Sequence, residues 1–313
     1  MNDHQKPCVL ITGAAGATAQ QVISRLRHDY RLVVCDSRRE VSMSPDIPSY
    51  HIDLNKRGME DIFRQYRFDA VIHLGRMSPN EYTRDSRYNA NVLGTQRLFD
   101  LCVKYGVHHV IVMSTHFVYG AHAFNPAFLT ESAPLKASEL TMDLVDSVEL
   151  ENLSMIYLWK YPDLNLTILR PSNIVGPGVN NTMSLLLMQE RAPVLMGFSP
   201  IMQFIHVEDM ADAIVLAYRK KKPGIYNVAS DDCVAYQRAL ELAGCKRRAL
   251  PSVPPGLPRA LSRVLGMKHF PHYLVSYFKY AATIDGSLFR ETFGFEPRYS
   301  LKEIFAHYKL LKL

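Results

Sequence analysis

Cysteine is scarce in this 313-residue chain, and Cys8, Cys35, Cys102, Cys233 and Cys245 are scattered with no C-x-x-C spacing. They read as reduced thiols rather than as a disulfide framework or a metal site. No apolar stretch is long enough to span a membrane. Met1-Asn2-Asp3-His4-Gln5-Lys6 leads at once into an apolar strand, which leaves no room for a signal peptide, so a soluble cytoplasmic chain is expected. Internal repeats and low-complexity linkers are also missing. The 36 basic and 30 acidic residues leave a net charge of +6 spread along the chain, a mildly basic surface with no nucleic-acid footprint. The one dense basic run, Arg219-Lys220-Lys221-Lys222 ahead of Pro223-Gly224, reads as a helix C-terminus whose charges complement the dipole, the alternative being an anionic partner site.

What is present is core. At 48% hydrophobic and 21% charged residues, the chain can bury the interior of one α/β domain with a smaller appended lobe. Apolar runs alternate with helical patterns, the mark of a parallel sheet covered on both faces. Strands are expected at Cys8–Thr12, Arg31–Asp36, Ser49–Asp53, Ala70–Leu74, His109–Ser114, Leu166–Arg170 and Ile225–Val228. Helices are expected to begin near Ala17, Arg57, Arg84 and Ser138. Right-handed crossovers give a Rossmann-like doubly wound sheet, with its ligand crevice at the carboxyl ends of the strands. Residues 1–176 plus 204–228 read as the dinucleotide-binding domain, with 204–227 returning to the main sheet. Residues 177–203 plus 229–313 read as a smaller substrate lobe.

Thr12-Gly13-Ala14-Ala15-Gly16-Ala17 follows the first strand and opens a helix. Gly13 permits the tight turn, Gly16 lets backbone N–H groups approach a pyrophosphate, and Ala15 and Ala17 complete the cradle. Asp36, ending the second strand, is placed to accept hydrogen bonds from the adenosine ribose hydroxyls and to repel a 2′-phosphate, which points to NAD. Arg38 and Arg39 offer the opposite possibility, a pair of phosphate ligands for NADP.

Further on come Ile168-Leu169-Arg170-Pro171-Ser172-Asn173-Ile174-Val175-Gly176-Pro177, Phe204-Ile205-His206-Val207-Glu208-Asp209 and Gly224-Ile225-Tyr226-Asn227-Val228. With the glycine loop, these segments resemble the extended short-chain dehydrogenase/reductases of the NAD-dependent epimerase/dehydratase type. The resemblance implies that Asp53, Leu54, Leu74, Gly75, Asn91 and Ser114 flank the cofactor, that Thr115 bonds the reacting oxygen, and that Asn173 contacts substrate. Asn91 has a plainer alternative, a polar side chain bonded within its own helix. The resemblance also implies a homodimer joined by helices near Arg84–Lys104 and Ser138–Tyr157, with Leu144, Val145, Val148 and Ile156 as an apolar stripe.

The chain departs from that family where its chemistry resides. The resemblance calls for a Tyr-x-x-x-Lys pair, in which an ammonium holds a tyrosinate ionised as the base for a substrate hydroxyl, and it sets Leu140 and Leu144 in those places. Neither leucine can move a proton. His116 falls where related dehydratases carry an acidic general acid, its plainer reading being a structural donor. Met202-Gln203-Phe204 replaces an Arg-Asp-aromatic run whose arginine would hold a nucleotide-sugar diphosphate. The expectation is thus an NAD(H)-binding, epimerase/dehydratase-like regulatory or binding module, the rival being an active sugar epimerase or oxidoreductase using Thr115 with His116. Its small-molecule ligand is sugar-derived or apolar. In the region 251–282, Leu257, Leu261, Val264 and Leu265 fall on one helical face away from Arg259 and Arg263, followed by Phe270, Tyr273, Tyr277, Phe278 and Tyr280. This segment reads as core under a lid, with an apolar-ligand pocket or a membrane or protein contact as alternatives.

Overall fold

The computed structural model describes residues 6–38, 41, 44, 46–77, 82–251 and 272–312. Arg39, Leu257, Arg259, Leu261, Arg263, Val264, Leu265 and Phe270 lie outside the described residues. The strands are β1 (Cys8–Thr12), β2 (Arg31–Asp36), β3 (Ser49–His51), β4 (Ala70–His73), β5 (Val110–Met113), β6 (Leu166–Pro171), β7 (Asn173–Val175), β8 (Arg191–Leu195), β9 (Ile201–His206), β10 (Gly224–Val228), β11 (Cys233–Ala235) and β12 (Lys246–Leu250). Seven of them form one sheet in the order β10-β6-β5-β4-β1-β2-β3, and every pairing in it is parallel.

The central strands are continuous apolar runs because both faces are covered; all five residues of β1 are buried. One face packs on α1 (Ala17–Leu26) and on a long helix at Val207–Lys220 through Val9, Ile11, Val22, Ile23, Met210 and Ile214. The other face packs on α2 (Gly58–Gln65) and on the helix Gly94–Lys104 through Leu10, Val33, Ile62, Leu98 and Phe99. A third apolar cluster, built on Phe204, Tyr236, Phe278, Phe305 and Tyr308, is the core of the smaller lobe. Strand order reverses between β1 and β4, whose carboxyl ends open the crevice that positions the site.

Three expectations are corrected. The segment 204–227 does not return whole to the main sheet: β9 pairs with β7 and β11 in a separate sheet, and only the following helix and β10 rejoin it. The helix expected from Arg84 to Lys104 divides into α3 (Arg84–Arg87), a π-helical turn at Tyr88–Leu93 and α4 (Gly94–Lys104). The helix expected from Ser138 divides into α5 (Ala137–Leu140), a 3-10 turn at Met142–Leu144 and α6 (Val145–Lys160). Thr141, extended at φ −159° and ψ 136°, interrupts it and caps the new start by accepting from the Asp143 N–H.

The apolar stripe of the second helix divides as well. Leu144 and Val148 are buried in the lobe core, whereas Ile156 and the single tryptophan, Trp159, are 58% and 78% exposed. The basic run ends α7's successor, the Val207–Lys220 helix, where Lys221 turns left-handed at φ 50° and caps it, in keeping with the capping reading. All five cysteines are free thiols, and among the described residues no helix is long and apolar enough to cross a membrane.

Candidate functional site

The crevice is set by a glycine-to-glycine approach. Gly13 has φ +70°, and a Cβ placed on it would lie 2.4 Å from the Gly75 nitrogen, so β1 and β4 end in backbone contact that no other residue type permits. Beneath them, His73 ties three elements together. The Thr95 hydroxyl donates to the Asn91 carbonyl at 2.6 Å and therefore accepts from His73 Nε2 at 2.9 Å, leaving Nδ1 to accept from Thr12 Oγ1 at 2.5 Å. Burial, with the Arg76 charge second, lowers the His73 pKa to about 4. The imidazole is a neutral strut.

Beyond Gly13 the chain enters α1 at Gly16, and no side chain caps that first turn, so its N–H groups face the crevice as an anion site would require. The crevice is lined by Thr12, Gly13, Asp36, Asp53, Gly75 and Arg76, together with Leu54 and Asn91. Asp36 is 3% exposed and holds the loop: its Oδ2 accepts from Ala15 N at 3.0 Å, and its Oδ1 from Arg38 N at 2.8 Å and Arg38 Nε at 3.3 Å. Burial alone would raise its pKa, but the Arg38 and Ala15 hydrogen bonds outweigh it and hold the carboxyl below the usual range. Asp53 accepts from Asn55 N at 2.9 Å and shapes the turn after β3. At the far end of the crevice Ser114 Oγ is buried with no hydrogen-bond partner among the described residues. A glycine cradle, an uncapped helix start, a fixed carboxylate and an orphan hydroxyl together fit a dinucleotide.

The helix that should carry proton chemistry is built differently from expectation. Leu140 closes the single turn of α5 and Leu144 is 2% exposed in the lobe core, so the two do not share a helix and do not form an i, i+4 pair. The residues one turn apart that reach toward the crevice are Asp143 and Ser147. Arg76 Nη2 donates to Ser147 Oγ at 2.7 Å, and Arg84 Nε donates to Asp143 Oδ1 at 3.0 Å. Arg87, 1% exposed, donates to the Asp143 carbonyl at 2.9 Å and lies 3.7 Å from Asp146 Oδ1. Asn91 bonds outside its own helix: Oδ1 accepts from Met77 N at 2.8 Å, and Nδ2 donates to Met77 O at 3.1 Å and to Asp146 Oδ2 at 2.7 Å. From Ala137 to Ile156 the chain contains neither tyrosine nor lysine, so the shift in register leaves that gap in place.

Sequence reasoning missed Arg76, Arg87, Asp146 and Ser147. Each is a buried or crevice-lining polar residue embedded in no motif, and helical periodicity records only the apolar side of such a cluster.

On the opposite wall, Thr115 caps the turn His116–Tyr119 by accepting from Phe117 N, and its hydroxyl hydrogen stays available. His116 is 5% exposed, and its Nδ1 donates to the Pro171 carbonyl at 3.0 Å. Burial lowers its pKa to about 4 against the opposing pull of that carbonyl, so it is neutral near pH 7 and not the titrating group the sequence suggested. Its Nε2 is left as an acceptor. Asn173 and Met202 border a second cleft beside His116. Asn173 Nδ2 donates to the Gln203 carbonyl at 2.9 Å.

Comparison with known proteins gives a consistent set of likenesses. Residues 9–229 match the model of the NAD dependent epimerase/dehydratase family. An "uncharacterized protein" of Mycobacterium tuberculosis is 25% identical over 317 residues, covering 96% of this chain and 82% of the relative. UDP-glucose 4-epimerase 4 of Oryza sativa subsp. japonica is 28% identical, with 68% of each chain covered. Among solved structures, a UDP-glucose-4-epimerase from Stenotrophomonas maltophila, with bound NAD and formylated UDP-arabinopyranose, superposes at a TM-score of 0.78 with 18% identity and 98% of both chains covered. A dTDP-glucose 4,6-dehydratase from Bacillus anthracis, in complex with NAD, superposes at 0.77 with 16% identity, covering 97% of this chain and 96% of that one.

Proposed function

Because the chain belongs to the NAD-dependent epimerase/dehydratase family, we propose that it binds NAD(H) and serves as a cofactor-responsive binding or regulatory module lacking tyrosine-based hydroxyl chemistry. The observation that carries this reading is the Asp143–Ser147 face of α6, engaged by Arg84, Arg87 and Arg76. Salt-bridged to arginines, Asp143 is a poor proton acceptor, and Ser147 cannot supply the ammonium that would hold a base ionised.

The residues that would hold the cofactor are the Gly13–Ala17 loop for the phosphates, Asp36, Asp53 and Leu54 for the adenosine, and Leu74, Gly75, Asn91 and Ser114 along the crevice. NAD supplies a hydride acceptor and NADH a donor. Thr115 and Asn173 would face the second ligand. The exposed Leu93, Ile156 and Trp159 support a homodimer formed across α4 and α6, in place of the buried Leu144–Val148 stripe. The chain is read as cytoplasmic.

One feature favours a second reading, an active epimerase or oxidoreductase: the Thr115 hydroxyl and the His116 Nε2 acceptor are sequence neighbours on the wall of the site. Incubation of the purified protein with NAD and a panel of UDP- and dTDP-sugars, following nicotinamide absorbance and products by chromatography, separates the two. No turnover with intact NAD binding is expected. Turnover that vanishes in His116→Ala would overturn the regulatory reading and make His116 the base.

A further inference from the structure

A cleft with about 390 Å³ of empty volume lies between the His116–Tyr119 turn, β9 and the segment 274–282. That is at the small end of the roughly 300–1,000 Å³ usual for ligand pockets. Its walls are Phe117, Met202, Leu274, Tyr277, Phe278 and Tyr280. Among the described residues, none of the lining side chains is charged at neutral pH.

The polar atoms along it have a definite sense. Gln203 is fully engaged: Nε2 donates to the Ser230 and Ile284 carbonyls, both at 3.1 Å, and Oε1 accepts from Ile284 N at 2.7 Å. Tyr277 gives its hydroxyl hydrogen to the Phe117 carbonyl. His116 spends its N–H on Pro171, which leaves the Nε2 lone pair, and Asn173 spends its Nδ2 on Gln203, which leaves Oδ1. Apart from the half-exposed Tyr280 hydroxyl, the polar groups left to a ligand are therefore acceptors. A phosphate or carboxylate needs donors or cations and would meet lone pairs in an apolar cleft. A neutral molecule with an apolar body and an O–H or N–H would satisfy every group there.

We propose that this cleft binds an uncharged molecule with an aromatic or otherwise apolar body and a hydrogen-bond donor, and does not bind a nucleoside diphosphate. This rests on the reading above that the lobe beside Thr115 holds the protein's second ligand.

The test uses 2-naphthalenemethanol as probe, the isosteric anion 2-naphthoate and UDP as competitors, and the full-length protein at pH 7.5 with and without NAD, following probe fluorescence. The alcohol is expected to bind, with 2-naphthoate and UDP weaker by about tenfold or more. Ala282→Phe, which fills the cleft, should lower the alcohol's affinity at least about tenfold while NAD titration stays unchanged. Met202→Arg, at an independent position on the wall, should weaken the alcohol and strengthen UDP. The proposal is overturned if UDP or 2-naphthoate matches the alcohol on the unaltered protein, or if both folded variants bind the alcohol as before. Intact NAD binding without alcohol binding would sink this inference alone, whereas turnover of a UDP-sugar would sink the regulatory reading.

Discussion

Arg170 Nη2 lies 2.7 Å from Glu151 Oε1 with the two side chains 1% and 0% exposed, a sealed ion pair that fastens β6 to α6. The same guanidinium donates to the Tyr119 hydroxyl at 2.7 Å and to the Glu131 carbonyl at 2.9 Å, so the helix bearing Asp143 and Ser147 is held at a fixed distance from the strand ends. Removing one partner of a buried pair leaves an uncompensated charge and typically costs about 3–5 kcal/mol. Arg170→Met is therefore expected to lower unfolding stability by that order, measured by urea titration. Glu151→Leu combined with Arg170→Met should recover part of the loss but not all of it, because Tyr119 and Glu131 still lose their donor. Full additivity of the two single losses would show that the pair does not act as a unit.

The dinucleotide crevice gives the second prediction. Asp36 places a carboxylate where a 2′-phosphate would sit, and NADP(H) is expected to bind about tenfold or more weakly than NAD(H), about 1.4 kcal/mol or more. Calorimetric titration of both cofactors measures this directly. Arg38 pairs with Asp36 and is half-exposed, so it is the one counterforce in reach; tighter binding of NADP(H) would promote it to a phosphate ligand. Asp36→Ala should erase the preference. Gly13→Val should abolish binding of both, since its Cβ would meet the Gly75 backbone; a thermal melt on the same sample tells loss of the crevice from loss of the fold.

Much of this was legible in the sequence, for physical reasons. β1, β4 and β6 are apolar runs with turn residues at their ends, and a strand buried on both faces leaves that trace. Gly13 and Asp36 were legible because backbone geometry and a lone buried carboxylate constrain residue type. The break at Thr141 was not. Ser138 to Leu144 carries helical spacing, and only the competition of the Thr141 hydroxyl for the Asp143 N–H turns it into two pieces. Once the helix starts at Val145, every facing position moves, so Leu144 packs into the core and Ser147 meets Arg76. The neutrality of His116 was equally hidden, because it depends on burial and on a carbonyl from Pro171, 55 residues away in the chain.

Acid stability supplies the third prediction. His73, His109 and His116 each have a pKa lowered to about 4, in every case chiefly by burial, against about 6.5 in an unfolded chain. The unfolded state therefore binds protons that the folded state refuses. The stability these groups contribute is whole above about pH 6.5 and is lost as pH falls toward 4, at up to about 1.4 kcal/mol per pH unit for each histidine. Unfolding midpoints measured from pH 7.5 to 4.5 should fall steeply below pH 6.5. His109, both of whose ring nitrogens are buried without hydrogen-bond partners, is the cleanest probe: His109→Leu should shallow that slope by about one proton. An unchanged slope would mean that His109 takes up its proton in the folded protein.

The fourth prediction concerns Trp159. Its side chain is 78% exposed, beside the 58% exposed Ile156 on α6, and Leu93 is 41% exposed on the π-helical turn against which α6 packs. Large apolar side chains gathered on neighbouring elements mark an association surface when they are contiguous, and an isologous pairing would bury each against its copy. Light scattering at low micromolar concentration should give twice the chain mass. Trp159 is the only tryptophan in the chain, so its emission reports on this face alone: blue-shifted in the dimer, and moving to longer wavelength on dilution through the dissociation range. Ile156→Glu together with Trp159→Lys should yield a folded monomer, since a charge at the centre of a desolvated interface costs several kcal/mol without touching the core. A wild-type chain that scatters as a monomer, with its emission red-shifted at every concentration, would reject the dimer and leave the α6 surface facing water.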